Sequence, residues 1–254
     1  MEWEAPAIVL DAKPYGEGDA IATVMTAEHG LHRGLARGGF SRARTALWQT
    51  GNLIQARWMG RLPDSLGSLT AEPVHATAAH IMDDPLALAL LRAACTMAEG
   101  ALAEREPHPR VFDGLVHLLA RLAAPETLLA DYIRWELLLL ADLGYGLDIS
   151  TCAISGATAG LAWVSPRSGR AVTEDAAGAW KTRLLRLPGF LVGGNIAEPP
   201  DWRDGLALTG YFLARDAFGH HHKPLPAARQ MLYERIAALA GDSTTDEPRT
   251  DHAG

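Results

Sequence analysis

Hydrophobic spacing divides the chain into two textures. From residue 7 to about 78 the apolar positions come in short runs or alternate with polar ones, the period of a pleated strand. From about residue 83 onward they recur every three or four positions, the period of a helix. In the first texture, Ala7-Ile8-Val9-Leu10-Asp11-Ala12-Lys13 reads as a short strand stopped by Pro14, and Gly16-Glu17-Gly18-Asp19 as a turn. Ile21, Thr23 and Met25 share one face of the next strand, with Ala22, Val24 and Thr26 on the other. Glu28-His29-Gly30 closes a hairpin into a third strand, Leu31 to Arg37. After a break at Gly38-Gly39-Phe40-Ser41, the segments Asn52 to Met59 and Gly67 to Ala76 are both capable of extended structure. Five short strands with hairpin turns over roughly 70 residues predict a small closed barrel. A five-stranded Greek-key barrel of that size is the OB-fold, a common oligonucleotide binder, though another small all-β module would share the pattern.

The second texture is punctuated by caps. Asp84-Pro85 sets an N-cap before a first-turn proline, and Leu86, Leu90, Ala93 and Met97 then line one face. Pro109 starts a helix whose stripe is Val111, Leu115, Leu118, Leu119 and Leu122. Pro125 opens a third that Gly144 ends. This one is apolar on two sides, with Leu128, Tyr132, Trp135, Leu139 and Leu143 on one stripe and Ile133, Leu137 and Leu140 on another, which places it at the centre of a bundle. Further helices are expected from Thr173 to Leu187, Asp204 to Phe218 and Pro226 to Ala240, with Gly219 and Gly241 as caps of the last two. Glycines and a proline interrupt residues 145–172. The expected class is therefore α+β: an OB-fold barrel over residues 1–80, a mainly helical domain over 81–241 with a small β-like insert at about 145–172, and a disordered tail over 242–254.

Composition is that of an ordinary folded protein, 21% charged and 48% hydrophobic. The N-terminus, Met1-Glu2-Trp3-Glu4, is acidic where a secretory signal is basic, and no apolar run approaches the ~20 residues needed to cross a bilayer, so a cytoplasmic protein is expected. The net charge of −7 speaks mildly against a polyanionic ligand. The distribution of charge changes that picture. Between Leu31 and Leu62 the charged residues are Arg33, Arg37, Arg42, Arg44, Arg57 and Arg61, with no acid among them. Guanidinium groups are planar, permanently charged forks that suit phosphate oxygens. Arg33 and Arg37 are four apart in a strand and share a face; Arg42 and Arg44 sit on or beside the long loop. Phe40, Trp48 and Trp58 lie in the same segment, either as stacking surfaces for bases or as core.

Other candidate chemistry is thin. Cys152-Ala153-Ile154-Ser155 has half of a zinc-ligand pair, and a structural zinc site wants four thiolate or imidazole ligands. His220-His221-His222 with Lys223 follows a helix end, where cations are favoured, and with Arg229 could form a second basic patch. The sequence holds neither a G-x-S-x-G elbow nor a G-x-x-x-x-G-K-[ST] phosphate loop. No metal, cofactor or catalytic residue is expected.

Several runs also resemble the RecO family of DNA repair proteins, along nearly the whole chain. They are Ile8-Val9-Leu10 through Tyr15-Gly16-Glu17-Gly18-Asp19, Thr23-Val24-Met25-Thr26, Glu28-His29-Gly30-Leu31 and Gly34-Leu35-Ala36-Arg37-Gly38. Downstream, Glu136 to Tyr145, Ser165 to Val172 and His222-Lys223-Pro224-Leu225 with Arg229 follow in the family's order and spacing. The resemblance implies an N-terminal OB-fold, a helical domain, and a non-enzymatic mediator of recombinational repair. Such a protein binds single- and double-stranded DNA, anneals complementary strands and helps load recombinase onto strands coated by single-strand binding protein. It implies a RecR-type protein and the acidic C-terminal tail of single-strand binding protein as partners. Some members bind zinc through four cysteines. Here only Cys152 is present and Ser155 stands where its partner would be, so packing and hydrogen bonds must hold the insert. A protein-only adaptor and a metal-dependent nuclease with dispersed carboxylates are the competing readings.

Overall fold

The computed structural model describes residues 1–61, 66–122, 128–194 and 197–243. Five strands open the chain: β1 (Glu2–Tyr15), β2 (Asp19–Thr26), β3 (Gly30–Ala36), β4 (Leu53–Met59) and β5 (Ser68–His75). They form a closed barrel in the order β1-β2-β3-β5-β4, every pair antiparallel except β3–β5. That order, with its single parallel contact, is an OB-like fold. β1 runs past both ends of the strand expected from sequence and through Pro6 and Pro14. It pairs with β4 over its first half and with β2 over its second, so half of its N–H groups have no ladder partner to lose and proline fits there.

Trp58 and Trp48 are the large residues of a barrel interior otherwise made mostly of Ala7, Ala20, Ala22, Ala36 and Ala56 with Val9, Val24, Ile54 and Leu69. Both tryptophans are core. The parallel contact is a single residue pair, Leu35 with Ser68, and the Trp58 indole reinforces it by donating to the Arg33 carbonyl at 2.9 Å. Gly34 permits that approach, because a Cβ there would lie 2.6 Å from Leu69 Cβ. On the opposite face of the sheet Ile8, Leu10, Met25 and Leu31 join the main core of the helical body. This explains why Ala7-Ile8-Val9-Leu10 is an unbroken apolar run rather than an alternating one: both faces of β1 are buried.

A short turn, α1 (Thr77–His80), leads to α2 (Pro85–Ala101), α3 (Pro109–Ala120) and α4 (Leu128–Asp142). Asp84 caps α2 as its sequence requires, accepting from the N–H groups of Leu86 and Ala87 at 2.8 and 3.0 Å. α4 is buried on most of its circumference and contacts α2, α3 and α6 (Pro199–Phe212), so it is the central helix. Pro125, expected to open it, lies outside the described residues. The last helix is α7 (Ala227–Ser243), packed on α2 and α6.

The helix expected over 173–187 is not there. Thr173 ends a strand, α5 (Glu174–Ala177) lasts one turn, and Gly178 (φ 47°) breaks it into the tighter turns of Gly178–Arg183. Leu185–Arg186 then forms β8, which pairs with β6 (Leu161–Val164) beside β7 (Ala171–Thr173) in a three-stranded sheet. The insert is therefore larger than its glycines suggested, because apolar spacing over a few residues fits either period. Gly219 and Gly241 are not left-handed caps: Gly219 has φ −62° and Gly241 lies within α7. His222 (φ 52°) takes the left-handed turn instead. Residues 244–254 lie outside the described residues, and the disordered tail expected there with them.

Candidate nucleic-acid interface

The long β3–β4 connection is an ordered structure. Gly38 (φ 64°) turns the chain at the end of β3, and its N–H donates to Asp19 Oδ1 at 2.7 Å. The Phe40 N–H reaches the Gly18 carbonyl at 2.9 Å, which pins the root of the loop to the β1–β2 hairpin. Successive turns follow, with Arg44 and Thr45 N–H groups both bonding the Ser41 carbonyl at 3.0 Å. Trp48 then plugs the barrel, and Asn52 Nδ2 donates to the Ala46 and Leu47 carbonyls at 2.8 and 3.3 Å. The loop leaves Arg42 and Arg44 exposed on its outer side, and Arg44 Nη1 meets the Arg37 carbonyl at 3.4 Å. Arg37, Arg42 and Arg44 thus gather at one end of the barrel. Phe40 is 36% exposed at the same loop. A groove of about 310 Å³ beside Arg44 is lined by Leu47, Leu53, Pro73 and His75.

The remaining cations are placed differently. Arg33 pairs with Glu104 at 3.0 Å, in a cleft between the barrel and the helical body that Glu99, Glu106 and Lys223 also line. Arg57 pairs with Glu2 and shares a shallow groove with Glu4 and Glu72. Arg61 is exposed past the far end of β4, and among the described residues no hydrogen bond or ion pair joins it to the loop arginines. The six arginines therefore do not form one face: two are turned toward acids of the same chain.

The second basic patch needs correcting. Arg229 is 1% exposed and forms a two-pronged ion pair with Glu136, Nε to Oε1 at 2.7 Å and Nη2 to Oε2 at 3.0 Å. Nη2 also donates to the Leu206 carbonyl at 2.7 Å. Burial would lower the Arg229 pKa, but the facing carboxylate outweighs it and raises it. Glu136, the charge inside a leucine run, is the sequence signal for this pair. Lys223 lines the cleft together with Glu99, Glu104 and Glu106. No Lys223–Arg229 patch exists.

Cys152 sits 2% exposed in the insert, where its sulfur accepts N–H groups of Ser155 at 3.5 Å and Thr173 at 3.4 Å. Burial pushes the thiol up, but these donors and the Ser155 hydroxyl outweigh it and hold the pKa at about 6. The Ser155 hydroxyl in turn accepts from the Ala157 N–H at 3.4 Å. One thiolate and a hydroxyl do not make a structural zinc site, and among the described residues no three His, Cys, Asp or Glu side chains converge on a metal position. Hydrogen bonds hold this corner.

Sequence reading also missed a groove between α3 and α4. It encloses about 250 Å³, with Leu118, Trp135 and Leu138 as its apolar floor and His117, Arg121 and Arg134 around it. Arg121 and Arg134 both lean on Asp131, at 2.6 and 3.2 Å. Cations on the outer faces of two adjacent helices were the available signal, but the pairing of those faces was not in the sequence.

A closed barrel with one parallel contact, an ordered cationic loop at one end and a helical body packed on its outer face define an OB-fold protein of the two-part, barrel-and-bundle class. Residues 1–77 match the family model described as Recombination protein O N terminal, and residues 82–225 match Recombination protein O C terminal. The chain belongs to the RecO family of DNA repair proteins. It is 58% identical over 242 residues to the DNA repair protein RecO of Granulibacter bethesdensis, covering 94% of this chain and 97% of that one. It is 57% identical over 245 residues to the Gluconacetobacter diazotrophicus protein of that name, with 94% and 96% covered. The Acidiphilium cryptum protein is 54% identical over 247 residues, with 95% and 98% covered. Among the described residues no helix is long and apolar enough to cross a membrane.

Proposed function

We propose that this chain is a non-enzymatic DNA-binding mediator of recombinational repair. The barrel, residues 1–80, holds DNA at its loop end through Arg37, Arg42 and Arg44, with Arg61 as an outlying contact. Arg33 and Arg57 act at most after releasing their glutamates. One observation carries the reading: in a chain of net charge −7, an ordered loop presents three arginines that form no ion pair among the described residues. Cations already oriented and unpaired take phosphates without first breaking internal bonds, and the contact is sequence-independent and salt-sensitive. The groove beside Arg44 gives bases an apolar surface to lie against, and the exposed Phe40 ring on the same loop a face to stack on.

The same contact suits both single and double strands, and fixed cations that screen phosphate repulsion favour annealing of complementary strands. Reversible binding fits a protein that hands strands coated by single-strand binding protein to recombinase, working with a RecR-type partner in the bacterial cytoplasm at the nucleoid. The α3–α4 groove is the place proposed for the tail of single-strand binding protein: an acidic peptide with an apolar end meets an apolar floor rimmed by His117, Arg121 and Arg134, and competes with Asp131 for the two arginines.

The test is fluorescence polarisation with a labelled single-stranded oligonucleotide across a salt series, beside an annealing assay. Arg37→Glu with Arg42→Glu is expected to weaken binding at least about tenfold at low salt with an unchanged melting temperature. Undiminished affinity in that variant would remove the barrel loop as the site. Metal-dependent cleavage of the labelled strand would point to a nuclease instead.

A further inference from the structure

We infer that the small sheet of the helical body carries a second single-strand contact, with Trp180 as the stacking ring and Arg183 and Arg186 as the phosphate-binding cations. The inference rests on the reading that this chain handles single strands. Between Asp148 and Glu198 the sequence holds five cations against two acids, while the whole chain is anionic. Three of those cations, Lys181, Arg183 and Arg186, fall within six residues of Trp180. The helix expected there would have spread them around a cylinder; the tight turns and β8 do not.

Trp180 is 61% exposed, and the Arg183 guanidinium lies 5.3 Å from the centre of its ring. Arg186 lies 4.4 Å over Trp163, the residue opposite it in the β6–β8 ladder. A guanidinium stacked on an indole uses its face and keeps the N–H donors of its edge, which are the groups a phosphate takes. Among the described residues neither Arg183 nor Arg186 forms an ion pair. The nearby carboxylate of Glu174 is already occupied, by Lys181 and by Trp163 Nε1 at 2.6 Å. An open ring with one guanidinium on it, followed three residues on by a second guanidinium stacked on Trp163, matches the alternation of base and phosphate along a strand. The acidic peptide already has a proposed place in the α3–α4 groove, whereas rings and cations alternating along this turn and β8 fit the repeat of a strand. Annealing brings two strands together, and a surface built separately from the barrel loop supplies a place for the second.

The experiment uses the full chain, thymine oligonucleotides of about fifteen nucleotides for titration and a complementary pair for annealing. Trp180→Ala with Arg183→Glu is compared with Arg37→Glu/Arg42→Glu, each checked for an unchanged melting curve, with Trp180→Ala alone as the milder variant. The insert variant is expected to lower the annealing rate about tenfold while affinity for one short strand, held by the barrel, stays within about twofold. Trp180→Phe is expected to abolish the part of the tryptophan quenching that appears only at excess strand. Unchanged annealing together with unchanged quenching would overturn the inference and leave the barrel reading intact. So would insert variants that lose an acidic test peptide while handling DNA normally. A wild-type chain that binds no oligonucleotide at low salt would overturn both.

Discussion

Individual side chains in this protein are governed by what burial does to charge. Glu136 and Arg229 are nearly inaccessible, and each is tolerable only because the other is there, with Thr209 and the Leu206 carbonyl completing the bonds. Removing one charge strands the other: Glu136→Gln is expected to cost about 3–5 kcal/mol of stability in urea unfolding, while the joint change Glu136→Leu and Arg229→Met recovers most of it. A double variant as weak as the single one would show that the pair contributes more than mutual neutralisation. His32 illustrates the converse. Burial, with like charge from Arg105 and His29, brings its pKa down from 6.5 to about 4. It lies edge-on to Trp3 and Trp58, with ring centres 5.0 and 5.2 Å away. Between those two pH values the unfolded chain holds a proton that the folded chain does not, so stability rises with pH across the window. The contribution is full above pH 6.5 and is lost as the pH falls toward 4, about 1–2 kcal/mol after allowance for solvent screening. Unfolding midpoints at neutral and mildly acidic pH, in wild type and His32→Leu, check this; an equal acid loss in both would assign the effect to other groups.

At the scale of elements, the barrel closes through its narrowest contact. β3 and β5 share one bridged pair, and the closure depends on Gly34 leaving room for Leu69 and the Trp58 indole. Gly34→Ala is expected to destabilise by about 1–3 kcal/mol through overpacking, whereas Gly241→Ala, within α7 and with open space around it, is expected to be neutral or slightly stabilising. Thermal melts of the two variants separate a packing requirement from a general intolerance of change at glycines. The loop between β3 and β4 belongs to the same scale. Its hydrogen bonds to Asp19 and Gly18 couple the arginine-bearing turns to the first hairpin, so Asp19→Ala is expected to loosen the loop and weaken strand binding a few-fold without unfolding the barrel. Hydrogen exchange at Gly38 and Phe40 reads the loosening directly.

For the whole molecule, charge distribution outranks net charge. Three loop arginines contacting phosphates predict a salt dependence of single-strand affinity with a logarithmic slope of about −2, falling to about −1 when Arg37 and Arg42 are both reversed. A slope near zero in the wild type would deny the electrostatic basis of the interface. The order of the barrel strands and of α2 to α4 was legible in the sequence because it rests on local periods, turns and caps: the glycine turns that separate β1, β2 and β3, the Asp84-Pro85 start of α2, the doubled stripe of α4. The site was legible only as a list of arginines. Whether Arg33 faces DNA or Glu104, whether Arg229 meets solvent or Glu136, and whether residues 173–187 coil or pair with β6 are decided by elements distant in sequence. Periodicity and charge along a chain are properties of neighbours, and so the residues themselves determined the two-part α+β architecture. Ion pairing, burial and sheet closure depend on which surfaces meet in space, and those only the tertiary structure decided.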